Sequence, residues 1–256
     1  MLNVLFIGDV IGQPGCEFLR ERLPQLKKQY QVDIAIVNGE NSAVGNGILP
    51  GSADYLLDSG ADVVTSGNHV FKRWEISDYL EEHPQVIRPA NYPSCCPGNG
   101  YYLYDGGSYQ FCVINLLGNV FMEPIENPFY KLDFILKTVK ANYYFVDFHA
   151  EATGEKKALA YYVDGRVSGF VGTHTHVQTA DEQILPGGTG FISDAGMTGP
   201  KESVLGINPQ NVIHRYLTHM PTRFEVQNIP CQLNGVLMQI VKKTGKCNKI
   251  QRINLI

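Results

Sequence analysis

The sequence has little with which to grip duplex nucleic acid, cross a membrane or build a cysteine-based metal site. Its 21 lysines and arginines are outnumbered by 25 aspartates and glutamates, giving a formal net charge of −4. That balance supplies no basic footprint for a duplex. A small anionic substrate stays compatible, because metal ions can provide positive charge locally. No apolar run approaches the ~20 residues that a membrane-spanning helix needs. The opening Met1-Leu2-Asn3-Val4-Leu5-Phe6-Ile7 has no basic leader region and no small-residue cleavage site, so a cytoplasmic protein is expected. The six cysteines, Cys16, Cys95, Cys96, Cys112, Cys231 and Cys247, include no Cys-x-x-Cys pair. They read as free thiols, mostly buried. Repeats, low-complexity tracts and linkers are lacking too. With 44% hydrophobic residues in 256, a single domain over 1–256 is expected. A homo-oligomer is the expectation.

What the sequence does have is a series of short apolar runs, each ending in polar residues. Residues 4–7 lead into Gly8-Asp9, and residues 34–37 into Asn38-Gly39-Glu40-Asn41. Residues 63–66 lead into Gly67-Asn68-His69, residues 143–148 into His149, and residues 167–171 into Gly172-Thr173-His174-Thr175-His176. Helices are predicted over 15–30, 50–59, around 76–80, 129–141 and 209–217. Phe18, Leu19, Leu23 and Leu26 share one face of the first, which Pro24 should kink or split. Residues 101–104 and 110–116 flank Gly106-Gly107 as a hairpin. Residues 88–100 and 194–200 read as loops. Strands over 224–227, 234–242 and 249–254 close the chain. Apolar strands alternating with helices argue for an α/β fold. Its parallel sheet would be buried on both faces and would gather its strand C-terminal ends at one edge.

Taken singly, each strand end has an ordinary explanation. Asp9 could cap a helix, Glu40 and Asn41 could be loop residues, and His149 could be a satisfied core histidine. Jointly, five strands ending in oxygen or nitrogen ligands are harder to dismiss. In an extended backbone His174 and His176 point the same way. Imidazole suits zinc, manganese or iron. The set is too large for one ion. Two cations about 3.5–4 Å apart, sharing one carboxylate, would clamp a phosphoryl group and activate a hydroxide.

Gly67-Asn68-His69 resembles the Gly-Asn-His signature of the calcineurin-like metallophosphoesterases. Gly172-Thr173-His174-Thr175-His176 resembles their Gly-x-His-x-His element, and Gly8-Asp9 their opening aspartate. Two departures stand out. Ile11 occupies the place of the histidine in the usual Asp-x-His, and Gly39-Glu40 replaces the usual Gly-Asp. Both match one bacterial branch, the YmdB-type phosphodiesterases. So do Ile36-Val37-Asn38-Gly39-Glu40-Asn41, Arg88-Pro89-Ala90-Asn91-Tyr92-Pro93, Val146 through Thr153, Gly172 through Ala180, and Gly196-Met197-Thr198-Gly199-Pro200. The resemblance spans essentially the whole chain. It implies a β-sandwich core flanked by helices and two metal ions, iron or manganese. It also implies activity on phosphodiesters, notably 2′,3′-cyclic nucleotides. Carried over by motif, Asp9, Asn41 and His176 serve one metal. Asn68, His149 and His174 serve the other, and Glu40 bridges.

His69 directly follows a ligand, so it is placed to protonate the leaving ribose oxygen without binding metal. An orienting role for His69 is the alternative. His83, His214 and His219 read as surface or structural residues. Phe71, Arg73, Trp74, Tyr92 and Phe121 are candidates for contact with a base. The rival functions are a phosphomonoesterase, a nuclease on single-stranded RNA, a metal-dependent amidohydrolase, and a regulatory binding protein with a degenerate site. Amidohydrolases usually carry His-x-His on the first strand, whereas here it comes late.

Overall fold

The computed structural model describes residues 1–227 and 230–256. Strands β1 (Leu2–Ile7) and β2 (Asp9–Val10) lead into helix α1 (Gly12–Tyr30), then β3 (Ile34–Asn38), α2 (Pro50–Asp58) and β4 (Val63–Thr65). A 3-10 turn, Val70–Lys72, precedes α3 (Ile76–Glu82). The hairpin β5 (Tyr101–Asp105) and β6 (Gln110–Leu117) is followed by α4 (Pro128–Thr138), β7 (Tyr143–His149), α5 (Thr153–Tyr162) and β8 (Gly169–Thr173). Short strands β9 (Gln183–Ile184), β10 (Gly190–Ile192) and β11 (Met197–Pro200) precede α6 (Pro209–Thr218). The hairpin β12 (Cys231–Ile240) and β13 (Cys247–Leu255) ends the chain.

The strands form two mixed sheets rather than one parallel sheet. The first has the order β2-β11-β12-β1-β3-β4, with β13 paired to β12; the second has the order β5-β6-β7-β8-β10-β9. Side chains alternate across a strand, so one run of apolar residues feeds two cores. Leu2, Val4 and Phe6 of β1 face Phe111, Phe145 and Val171 of the second sheet. Phe6 and Phe145 stack across this interface with ring centroids 5.9 Å apart. Leu5 and Ile7 of β1 instead pack under α1, α2 and α3 with Leu19, Leu23, Leu56 and Leu80. The outer face of the second sheet, including Val146, Phe148 and Phe170, packs under α4 and α5 with Leu132 and Leu159. The result is a sandwich of two sheets flanked by helices.

Several sequence expectations need correction. Helix α1 runs unbroken through Pro24. The bond that proline removes is offset by the burial of Leu19, Leu23 and Leu26 around it. Helix α5 was not legible, because its buried face carries Lys156 beside only Leu159 and Ala160. Met197–Pro200 is strand, not loop, held between β2 and β12. Residues 224–227 are not a strand; Val226 makes a single bridge to Ile207. Among the described residues no helix is long and apolar enough to cross a membrane. No disulfide forms among the described residues, and Cys16, Cys112, Cys231 and Cys247 are buried.

Candidate metal centre and active site

The expected ligands come from the C-terminal strand edges of two sheets, not one. Asp9 follows β1, Glu40 and Asn41 follow β3, and Asn68 and His69 follow β4, all in the first sheet. His149 ends β7, and His174 and His176 follow β8 in the second. The sandwich brings both edges together. Gly67 is what lets them close, since a Cβ there would overlap the Glu40 carboxylate and the His149 ring.

His149 sits at the middle of the cluster and is fully buried. Thr173 Oγ1 donates its one proton to Asp147 Oδ1 at 2.7 Å, so it accepts from His149 Nδ1 at 2.9 Å. The neutral ring then carries its lone pair on Nε2. Around that nitrogen lie His174 Nδ1 at 3.0 Å, Asn68 Oδ1 at 3.1 Å and Glu40 Oε1 at 3.2 Å. His174 Nε2 faces Glu151 Oε2 at 3.2 Å, which places its proton there and its lone pair on Nδ1. Four lone-pair atoms therefore converge, and one proton can join only two of them. Glu40, His149 and His174 offer ligand atoms all within 4.8 Å of one another, a group able to hold a metal ion.

A second group lies beside it. Asp9 is fully buried, and its Oδ1 has no hydrogen-bond partner. His176 Nε2 is 3.7 Å from that oxygen and 3.4 Å from Asn41 Nδ2. Asn41 Nδ2 also donates to Glu40 Oε1 at 3.0 Å, while Asn41 Oδ1 meets His69 Nδ1 at 3.0 Å. Turning the Asn41 amide over exchanges these atoms and presents its oxygen to His176 Nε2 and Glu40 Oε1, where an ion would be needed between them. An orphaned buried carboxylate oxygen and crowded acceptors are what a cation satisfies, so the residues present fit a metal centre.

The electrostatics agree. Burial opposes ionisation of Glu40, but the charges and hydrogen bonds of His149 and His69 outweigh it and hold the carboxyl well below its usual range. Burial likewise opposes a charge on His149, yet Glu40, Asp9 and Asp147 raise it to about 9. Burial, followed by the charge on His149, pushes His174 down to about 3. Burial raises Asp9, against the pull of His176 and His149. The cluster thus draws one positive charge to its centre and keeps the next imidazole neutral, ready to ligate.

The two histidines of the Gly-x-His-x-His turn do not point the same way. Their φ angles are 103° at His174 and 63° at His176, both left-handed and far from extended. His174 turns to His149 and Glu151, and His176 to Asp9 and the Leu205 carbonyl. Such residues typically cost about 1–3 kcal/mol each and persist only where surroundings over-determine them.

Asp147, Thr173 and Glu151 escaped the sequence reading. Asp147 had a signal: it lies two residues before His149 on one strand, hence on the same face. Asn38 Nδ2 and Thr65 Oγ1 also donate to it, at 3.0 and 2.5 Å. His83 is structural, stacked on Tyr79 with centroids 3.7 Å apart. His214 is exposed against Thr222, and His219 ends α6.

A cavity of about 260 Å³ opens beside the cluster, lined by Asn41, His69 and His176 and by the apolar Ile11, Leu205 and Phe224. A larger one of about 970 Å³ adjoins it through Gly45, Phe224 and Val226 and carries Arg73 and Arg223. Of the residues expected to meet a base, only Arg73 lines either cavity. Phe71 instead packs edge-on against Tyr92 at 5.4 Å, and Trp74 and Phe121 are exposed. Phe224 is the aromatic residue that the sequence reading missed.

Two helix-flanked sheets whose strand edges meet in Gly-Asn-His and Gly-x-His-x-His turns define a fold of the metallophosphoesterase-like phosphatases. Within that class the chain belongs to the family described as YmdB-like protein, whose sequence model matches residues 5–253. It is 45% identical over 254 residues to the 2′,3′-cyclic-nucleotide 2′-phosphodiesterase of Bacillus subtilis, covering 98% of this chain and 96% of that protein. A crystal structure of a hypothetical protein from Thermus thermophilus superposes with a TM-score of 0.94 at 38% identity, covering 99% of both chains. A crystal structure described as a novel phosphatase from Mycoplasma pneumoniae gives 0.94 at 34% identity, covering 99% of this chain and 93% of that one.

Proposed function

We propose that the protein is a metal-dependent phosphodiesterase that opens 2′,3′-cyclic nucleotides at the 2′-oxygen and releases 3′-nucleotides. The whole chain would act as one metallophosphoesterase domain. The observation that carries this reading is the apolar cavity bordered by His69, His176 and Phe224, set directly against the ligand cluster. It offers a site for a base and ribose beside one for a phosphate. In this reading Asp9, Asn41 and His176 hold one ion, and Asn68, His149 and His174 hold another. Glu40 would serve both groups, and iron or manganese would suit the oxygen- and imidazole-rich set. Bound metal ions would supply electrophilic stabilisation of the phosphoryl oxygens and lower the pKa of a water.

The protein's own residues do the rest. Glu40 offsets charge between the two groups. Asp147, through Thr173, fixes the His149 tautomer, and Glu151 fixes that of His174. His69 has its Nδ1 engaged by Asn41 and Glu40, at 3.0 and 3.2 Å, and it lines the cavity. With Nδ1–H held by these acceptors, it is the imidazolium form of the ring that passes its Nε2 proton to the departing ribose oxygen and is left as neutral imidazole. The adjoining cavity carries Arg73 and Arg223, which favours an RNA end with the same cyclic phosphate as a second substrate in this reading.

The test is to incubate manganese- or iron-loaded protein with 2′,3′-cyclic AMP, 3′,5′-cyclic AMP and a phosphomonoester in parallel. Faster turnover of 2′,3′-cyclic AMP, with 3′-AMP as product, is the expected result. Preferential hydrolysis of the monoester would overturn the reading.

A further inference from the structure

We propose that Lys156 and Asp194 form a buried clamp that holds the His174-Thr175-His176 turn in metal-binding geometry. The inference rests on the ligand roles proposed for the two histidines. Lys156 Nζ meets Asp194 Oδ2 at 2.8 Å, with side-chain exposures of 2% and 1%. The same oxygen accepts from the Thr175 backbone N–H at 3.0 Å and from Thr175 Oγ1 at 2.8 Å. The other oxygen accepts from Gly196 N at 2.9 Å. Asp194 therefore grips the residue between the two histidines by both of its donors, and those neighbours are the ones with left-handed φ angles.

The glycine that opens the Gly-x-His-x-His turn is required first by the Ser193 carbonyl, and Lys156 passes the same point. Lys156 reaches from α5 past Gly172, where a Cβ would sit 2.9 Å from Lys156 Cδ and overlap the Ser193 carbonyl. Two charges at this depth are a poor way to add stability, since an apolar pair of similar volume usually does as well. A carboxylate is suited to a different task. One oxygen can take three donors at once, and the ammonium balances the charge left behind. With Thr175 drawn toward Asp194, His174 and His176 are displayed toward separate ligand groups. Lys156 and Asp194 act through Thr175 and are positioning residues.

The test uses Thr175→Val, which keeps the branched shape and removes the hydroxyl donor, and Thr175→Ser, which restores it. Asp194→Asn and Lys156→Met probe the charges. Cobalt(II) and manganese(II) binding would be titrated on each purified full-length protein, with the cobalt(II) visible spectrum recorded. Melting of the chelated proteins serves as the control for folding. The expected result is a loss of about 10–100-fold in affinity for at least one ion in Thr175→Val, with an altered cobalt spectrum. The chelated form should melt like the parent, and Thr175→Ser should bind like the parent. Asp194→Asn should lose at least as much affinity as Thr175→Val. If the charge variants do not fold, the valine–serine pair decides alone. Parent-like affinity in Thr175→Val overturns the clamp while the metal centre stands. A parent protein that binds neither ion overturns the ligand assignment and the clamp with it.

Discussion

At the scale of single residues, His69 is the one whose role can be separated from the ligands around it. It is 26% exposed in its side chain, whereas Glu40 beside it is 1% exposed. It can therefore reach substrate while the carboxylate cannot leave the cluster. If it protonates the leaving oxygen, His69→Ala should keep its metals and bind a cyclic nucleotide normally. Turnover should fall about 10²–10⁴-fold, roughly 3–5 kcal/mol of transition-state stabilisation. A nitrophenyl diester should be far less affected, because nitrophenolate leaves without a proton. Equal losses on the two substrates, or loss of metal on elemental analysis, would remove His69 from this role. The residues proposed as ligands were legible as candidates in the sequence because strand ends and motif spacing expose them. Asp194 was not, since it gains its meaning from Thr175 and Lys156, and Asp147 carried only its place two residues before His149 until Thr173 joined the two.

At the scale of elements, the strands and most helices followed from hydrophobic period. The departures have local causes. Helix α5 hides its inward face behind Lys156, and β11 is written in Met197-Thr198-Gly199-Pro200, residues that read as a turn. The division into two sheets could not be read from strand patterns, because an apolar strand looks the same against a helix or another sheet. The segment around Phe224 was misread as a strand, and it supplies a wall of the cavity. The Val226–Ile207 bridge and the bond from Asn208 N to the Glu225 carbonyl at 2.9 Å fix it in place. Phe224 is still 46% exposed, as suits a surface on which a base can lie. Phe224→Ala should raise KM for 2′,3′-cyclic AMP by about tenfold, the order expected for uncovering part of an aromatic contact. Its kcat should be little changed. The base-free ribose 2′,3′-cyclic phosphate should show no such rise. An equal rise for both compounds would place the base elsewhere.

At the scale of the whole molecule, the candidate centre lies where the two sheets meet, beside the hydrogen bonds that Asn38 and Thr65 of the first sheet donate to Asp147 of the second. Asp9, Glu40, Asn41 and Asn68 belong to one, and His149, His174 and His176 to the other. Ions bound there would tie the sandwich together at its open edge. Any ion held at 100 times its dissociation constant adds about 2.7 kcal/mol to folding stability. For a chain of this size that is about 5–10 °C of melting temperature per ion. Chelation should lower the melting temperature accordingly, and it should also create a pH dependence. In the metal-free protein the charges of Glu40, Asp9 and Asp147 outweigh burial and raise His149 from 6.5 to about 9. A raised histidine stabilises fully below its unfolded value and loses that contribution as pH rises through the folded one. Chelated protein should therefore melt at progressively lower temperature between pH 6.5 and about 9. Metal-loaded protein should not show this slope, because an ion would replace the proton at the centre of the cluster. Calorimetric melting across that range, with and without chelator, measures both effects. A slope of the same sign and size in the loaded protein would show that the proton on His149 and the bound ion do not compete for one place.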